Sequence, residues 1–298
     1  NQDTFLRVGK AWLFFLTTGA SGIEEDNYFS KVALLDGEAP FRGSVPLTTK
    51  MADLVEEAGR QKVVETDQGR YTQGAYETWG AAGLTGVWAD MNSRDSIYAA
   101  LRRKETFATS GPRIQLRFFA ATAEQAENLR SDSAVEAAYR VGVPMGSNLL
   151  IAENNTPAFL LWALRDAQSA PLQRLQIVKG WLKDGEPQEQ VFDVACSAGE
   201  EVNPETHRCP NNNATVDLND CSYSESAGAG ELRTIWEDPT YDAEKGAAAF
   251  YYARVLENPT CRWSTWDAIR AGVEPREGLN ATIQERAWSS PIWVRREH

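Results

Sequence analysis

Hydrophobic and polar positions over the first third of the chain follow the rhythm of an α/β unit, with short apolar runs separated by longer periodic stretches. Residues 11–16 are six consecutive apolar positions, far too short to cross a bilayer, and they predict a buried strand. Arg7 and Lys10 before this run and Ala20-Ser21-Gly22 after it echo a secretory leader, but the apolar stretch is shorter than a leader needs. Between residues 49 and 66, Met51, Leu54, Val55 and Ala58 fall near 3.6-residue spacing and predict a helix. Residues 83–89 predict a second strand. Asn92 or Ser93 then caps a helix with Ile97, Tyr98 and Leu101 as its apolar face. Arg102, Arg103 and Lys104 at its end complement the helix dipole. A strand over residues 105–109, the turn Ser110-Gly111-Pro112 and the alternation Ile114, Leu116, Phe118 complete this unit.

Beyond residue 120 the pattern changes. Residues 122–140 are rich in Ala and Glu and predict one helix. Period-two strands follow at residues 159–164, 172–179, 190–194, 231–236, 250–256 and 292–294. Lys183-Asp184-Gly185-Glu186 supplies hairpin turn chemistry between two of them. No internal repeat is present. The chain reads as mixed α+β, with an α/β segment over residues 1–120 and an antiparallel β-sandwich over residues 121–298.

Composition narrows the partners. The 298 residues carry 42 acidic against 30 basic side chains, a net charge of -12, with no basic stripe, so nucleic acid is not an expected partner. No run is long and apolar enough for a membrane-spanning helix. Cys196, Cys209, Cys221 and Cys261 all lie in the last third, among Asn, Pro, Gly and Ser, where covalent bracing gains most. Two disulfides point to a protein of an oxidising compartment, secreted or periplasmic. Four cysteines allow three pairings, of which Cys196 with Cys209 and Cys221 with Cys261 is preferred. The competing reading is zinc held by Cys196, His207, Cys209 and Cys221, against which stands the lack of a tight C-x₂₋₄-C pair.

Several long segments resemble one bacterial family, the "domain of unknown function 3604" proteins. They are GLTGVWADMNSRDSIYAALRRKETFATSGPRI (residues 83–114), EEDNYFSK (24–31), PLQRLQIVKGW (171–181), FYYARVLENPTCRWSTWDA (250–268) and IQERAWSSPIW (283–293). The segment ALRRKETFATSGP is also similar to the closing unit of the polymerase-and-histidinol-phosphatase (PHP) superfamily, including its carbaryl-hydrolase branch. The resemblance implies the C-terminal part of a longer protein: the end of a PHP-like β/α barrel, incomplete here, followed by the sandwich. It also implies a hydrolase of ester, carbamate or phosphoester bonds that uses a divalent metal (zinc, manganese or iron) to activate water.

The residues depart from that pattern at the metal. Positions aligned with the family's Asp-x-His pair fall near Phe15 and Thr17, and the only histidines are His207 and His298. Missing ligands would have to come from an absent N-terminal segment or a partner chain. Of the carboxylates in Glu24-Glu25-Asp26-Asn27, Glu25 and Asp26 are the candidate catalytic groups; the bland alternative is a solvated acidic loop. Arg102, Arg103, Thr109, Ser110 and Arg113 flank the Ser-Gly-Pro turn and suit an anionic substrate, against a bland reading of dipole pairing and surface salt bridges. Seven of the ten tryptophans, Trp162, Trp181, Trp236, Trp263, Trp266, Trp288 and Trp293, lie in the second half, where core packing outweighs a sugar platform. Two functions stay open: part of a metal-dependent hydrolase, or a non-catalytic exported binding or structural protein that retains the scaffold.

Overall fold

A computed structural model describes residues 83–130, 133–242 and 248–297, together with five strands nearer the N-terminus. Those strands are β1 (Phe5–Val8), β2 (Ala11–Thr18), β3 (Ser44–Leu47), β4 (Lys62–Thr66) and β5 (Gly69–Gln73). The chain divides into two compact units. One comprises Asn1–Thr17, Gly83–Arg262 and Asn280–His298; the other comprises Thr18–Ala82 and Trp263–Leu279. The second unit contains the antiparallel sheet β3-β5-β4 and the helix α3 (Trp263–Ala271). The helix expected over residues 49–66 is corrected at its end, where residues 62–66 form β4, and the remainder of that prediction lies outside the described residues. The run Lys-Val-Val-Glu-Thr has the β-branched content of a strand, which outweighs the helical spacing before it.

The first unit is built on a ten-stranded sheet. Its path runs β1, β2, β6 (Gly83–Ala89), β7 (Thr106–Thr109), β16 (Thr282–Ser289), β15 (Ala249–Cys261), β12 (Leu172–Lys183) and β13 (Glu186–Cys196). β17 (Ile292–Arg296) pairs with β15 and, in parallel, with β10 (Asn148–Ile151). A second sheet has the order β14 (Glu231–Glu237), β11 (Pro157–Leu164), β8 (Gln115–Thr122) and β9 (Val143–Pro144). Neither sheet closes on itself, and no PHP barrel is evident among the described residues. Strands from both sides of residue 120 share one sheet: Ala108 of β7 lies opposite Trp288 of β16.

Period-two geometry explains how the layers stack. Along β8, Leu116, Phe118 and Ala120 enter a core shared with the large sheet, while Phe119 and Ala121 enter a separate core on the other side. β11 does the same, with Phe159, Leu161 and Ala163 facing the large sheet and Leu160 facing away. The outer core is covered by a 3₁₀ segment (Ala123–Arg130) and helix α2 (Ala134–Val141), which buries Ala134, Ala137 and Ala138. The single helix expected over residues 122–140 is therefore two shorter elements. At the centre of the main core, Phe159 packs against Phe118, Trp236 and Tyr251 at centroid distances of 5.5, 6.0 and 4.5 Å.

Helix α1 (Arg94–Arg103) begins at Ser93, whose Oγ accepts from Ser96 N at 3.3 Å, and Lys104 ends it in a left-handed conformation. Its buried side differs from the expected one. Ile97 and Ala100 pack on Val87 and Ala89 of β6, whereas Tyr98 is 61% exposed and Leu101 39%. The hairpin β12–β13 turns through Asp184 and Gly185, both at positive φ, which is the two-residue turn matched to strand twist.

Two glycines in the large sheet sit directly opposite phenylalanines, Gly86 against Phe107 and Gly180 against Phe250. In both pairs the ring folds over the glycine, so that an added Cβ would stand 2.3 Å from the ring's Cζ. The long connection between β13 and β14 is braced by disulfides Cys196–Cys209 and Cys221–Cys261, the preferred pairing, and no cysteine is free. That removes the thiolates a zinc site would need. The connection also covers the outer edge of β13, since Asp193 N donates to His207 O at 3.0 Å. Asp193 holds it there from a fully buried side chain, accepting from Arg174 Nη1 at 2.9 Å, Gln176 Nε2 at 2.6 Å and Cys209 N at 2.8 Å.

Gly86→Ala is expected to destabilise the protein by about 1–3 kcal/mol, because Phe107 must leave its position, read as a lower denaturant midpoint at unchanged slope. Reduction of the disulfides, which close loops of 13 and 40 residues, removes roughly 3 and 4 kcal/mol respectively. Thermal melting with and without reductant checks this.

Candidate functional site

The residues singled out from the sequence are placed unequally. Glu25 and Asp26 lie outside the described residues, and only the backbone of Phe15 and Thr17 is described, within β2. Arg102 and Arg103 are exposed at the end of α1, where Arg103 Nη2 reaches Glu105 Oε2 at 3.3 Å. Ser110 stands at the far end of β7, roughly 13 Å of extended chain away. Around it, the Thr109 hydroxyl accepts from Gly111 N at 3.2 Å, and Arg113 N donates to Asp166 Oδ2 at 2.7 Å. The structure thus joins Thr109, Ser110 and Arg113 in one turn and leaves Arg102 and Arg103 elsewhere. Of the seven tryptophans in the second half, Trp293 is the most exposed, at 42%, and its ring packs at a tilt against Phe250.

Ser110 leads to a polar cluster that local sequence reading did not find. Its hydroxyl hydrogen-bonds Glu285 Oε2 and accepts from Arg286 N at 2.9 Å, while Ser110 N donates to Arg286 O at 3.0 Å. Glu285 lies at an irregularity between β15 and β16, where Leu256 pairs with Arg286 and Pro259 with Gln284. Glu257 and Asn258 thus share the place opposite Glu285, a β-bulge. Glu257 is fully buried. One of its oxygens bonds the Ser169 hydroxyl, and Oε1 has no partner among the described residues. Asn258 N donates to Pro171 O at 2.8 Å, its Nδ2 donates to Ala227 O at 2.6 Å, and its Oδ1 accepts from Asn212 Nδ2 at 2.7 Å. Gln284 Nε2 bridges Glu257 O at 3.1 Å and Gln173 Oε1 at 3.0 Å.

Burial dominates the electrostatics. It pushes the Glu257 carboxyl up to about 8; the Ser169 hydrogen bond opposes it, Glu285 and Asp166 reinforce it, and Arg165 opposes it. Burial also raises Glu285, against the Ser110 hydrogen bond and Arg286. Beside the cluster, a depression of about 430 Å³ is lined by Pro259, Asn280, Thr282, Ile283, Gln284 and Arg286, among others. Among the described residues no group of three or more His, Cys, Asp or Glu is arranged to hold a metal ion. No described helix is long and apolar enough to cross a membrane.

Residues 16–296 match the model of a family described as a protein of unknown function (DUF3604). The chain belongs to that family. No curated protein and no solved structure matches it. Four of the five DUF3604-like segments meet at this cluster or beside it: Ser110 comes from residues 83–114, Pro171 and Gln173 from 171–181, Glu257 and Asn258 from 250–268, Gln284 and Glu285 from 283–293.

Another buried carboxyl raised by burial lies at the other end of β7. Glu105 accepts from the Tyr139 hydroxyl and from Arg103, and burial again raises it. Arg117 reaches the same hydroxyl at 3.5 Å and lies 3.5 Å over the Trp88 ring. These contacts tie α2 to Glu105 at the start of β7 and to Arg117 of β8.

Glu257 gives stability a definite pH dependence. Its folded value, about 8, exceeds the ordinary 4.5, so the stability of the neutral form is complete below 4.5 and is lost as pH rises through about 8. Glu257→Gln should flatten this decline, seen as a smaller fall in Tm between pH 5 and pH 9; an unchanged slope would show that another group governs it.

Proposed function

We propose that the chain is part of an exported hydrolase acting on ester or phosphoester bonds, with the cluster at the β15 bulge as its reacting edge. The observation that carries this reading is the pairing of two carboxyls at one bulge, one fully buried and one half-buried and hydrogen-bonded to a serine. Carboxyls displaced toward neutral pH beside a depression are the groups that general acid–base catalysis uses. Glu285 would take the proton from a water attacking the ester and return it to the leaving oxygen. Ser110 and the Arg286 amide fix its orientation, and the Arg286 side chain favours an anionic substrate. The likeness of ALRRKETFATSGP to the PHP superfamily's carbaryl-hydrolase branch supports the reaction class. The described side chains form no metal site, and the role given to Glu285 rests on this chain's own residues. The two disulfides support export to an oxidising compartment.

A non-catalytic binding role is the second reading. It is favoured by Met91, Tyr98 and Leu101, large apolar side chains left exposed on and before α1.

Chromogenic acetate, carbamate, phosphate and sulfate esters, offered with and without zinc, manganese or iron, test the first reading. Turnover of one class is expected, with kcat falling about 10²-fold or more in Glu285→Gln and KM little changed. No turnover of any ester under any metal condition would overturn it and leave the binding role.

A further inference from the structure

The connection between β13 and β14, residues 197–230, returns to the sheet along a narrow path. Ala229 and Leu172 exchange backbone hydrogen bonds at 2.8 and 2.9 Å. Gly228, at φ +105, passes so close that a Cβ would stand 2.6 Å from Pro171 Cβ and 2.8 Å from Asn258 Nδ2. Asn258 grips this connection from both sides through Ala227 O and Asn212 Nδ2. Its own position is set by the bulge and by its amide bond to Pro171 O. The residue beside it in that bulge is Glu257.

We propose that Glu257 is a protonation-controlled latch: while neutral it holds the bulge and the disulfide-braced connection in place, and on ionisation it releases the connection's return leg. The geometry favours the neutral form. The carboxyl is fully buried and, among the described residues, has one hydrogen-bond partner and keeps an oxygen with none. The charged groups facing it are Glu285 from β16 and Asp166 and Arg165 from the connection before β12, so two carboxylates oppose one cation. An ionised Glu257 would be a buried charge with Arg165 for it and two carboxylates against it, and leaving the bulge for solvent relieves it. Asn258 moves with it, and the contacts to Ala227 and Asn212 break together. Cys221–Cys261 tethers the start of the released segment and β14 its end, so the transition is local and reversible. The displacement of the carboxyl to about 8 sets the range in which this happens. The latch does not depend on the hydrolase reading.

Hydrogen exchange with mass spectrometry, corrected for the intrinsic pH dependence of amide exchange, tests the latch on the full chain. Protection in peptides covering residues 222–230 is expected to fall at least tenfold between pH 6.5 and pH 9, while peptides of β11 keep theirs. Glu257→Gln should hold protection constant across that range, and Asp166→Asn, which removes a repelling charge and so eases ionisation of Glu257, should move the midpoint to lower pH. A fall of equal size in Glu257→Gln, no fall in the wild type, or an alkaline shift in Asp166→Asn would each overturn the proposal.

Discussion

Pairing along both edges of β15 is the constraint on which the first unit depends. One edge runs beside β12 from Ala249 to Glu257, and the other is divided between β17 at Ala249–Tyr251 and β16 from Arg254 onward. A thirteen-residue strand can serve three partners only if every second side chain is accepted by a core. Ala249, Tyr251, Ala253 and Val255 meet that demand, and Tyr251 carries it into the aromatic group around Phe159. Tyr251 also donates to Asp238 at 2.7 Å, beside the buried Lys179–Asp238 ion pair at 2.6 Å, so the polar atoms brought inward by this strand are satisfied.

The same alternation explains why the bulge is chemically distinctive. Continuing in phase from Ala249, the next inward position after Val255 is Glu257, a residue ill suited to a core. The sheet accommodates it by a break in register rather than by an apolar neighbour. The result is a concentration of carboxyls, hydroxyls and amides supplied by segments far apart in the chain. Asp193 pairs both of its carboxylate oxygens, whereas at Glu257 one oxygen has no partner among the described residues.

Much of the fold was legible from period-two patterning. β2, β6, β7, β11, β12, β13, β14, β15 and β17 all overlap strands read from alternation or apolar runs, and Ser93 was readable as a cap. β16 was not, because in Thr-Ile-Gln-Glu-Arg-Ala-Trp-Ser the apolar residues fall on both faces and only Ala287 and Ser289 are buried. The face of α1 was misassigned because Ala100, small and unremarkable, is the residue that fits against β6. At the candidate site, Ser110 announced itself by its turn, but Glu285 lies 175 residues away and gives no local sign of that partnership. Glu257 did leave a signal: a charged residue in phase with four buried ones.

The order of strands in the large sheet bears on how the chain acquires its structure. β7 lies between β6, its near neighbour in sequence, and β16, whose Ser290 flank contacts Thr106 across 184 residues. A ribosome exposes β6 and β7 long before β16 exists, so their second edge must wait for almost the entire chain. Contact order of this kind slows folding and prolongs the life of open strand edges. A polypeptide with that history gains from being kept unfolded until it is whole, and is poorly served by assembling piecemeal as it emerges.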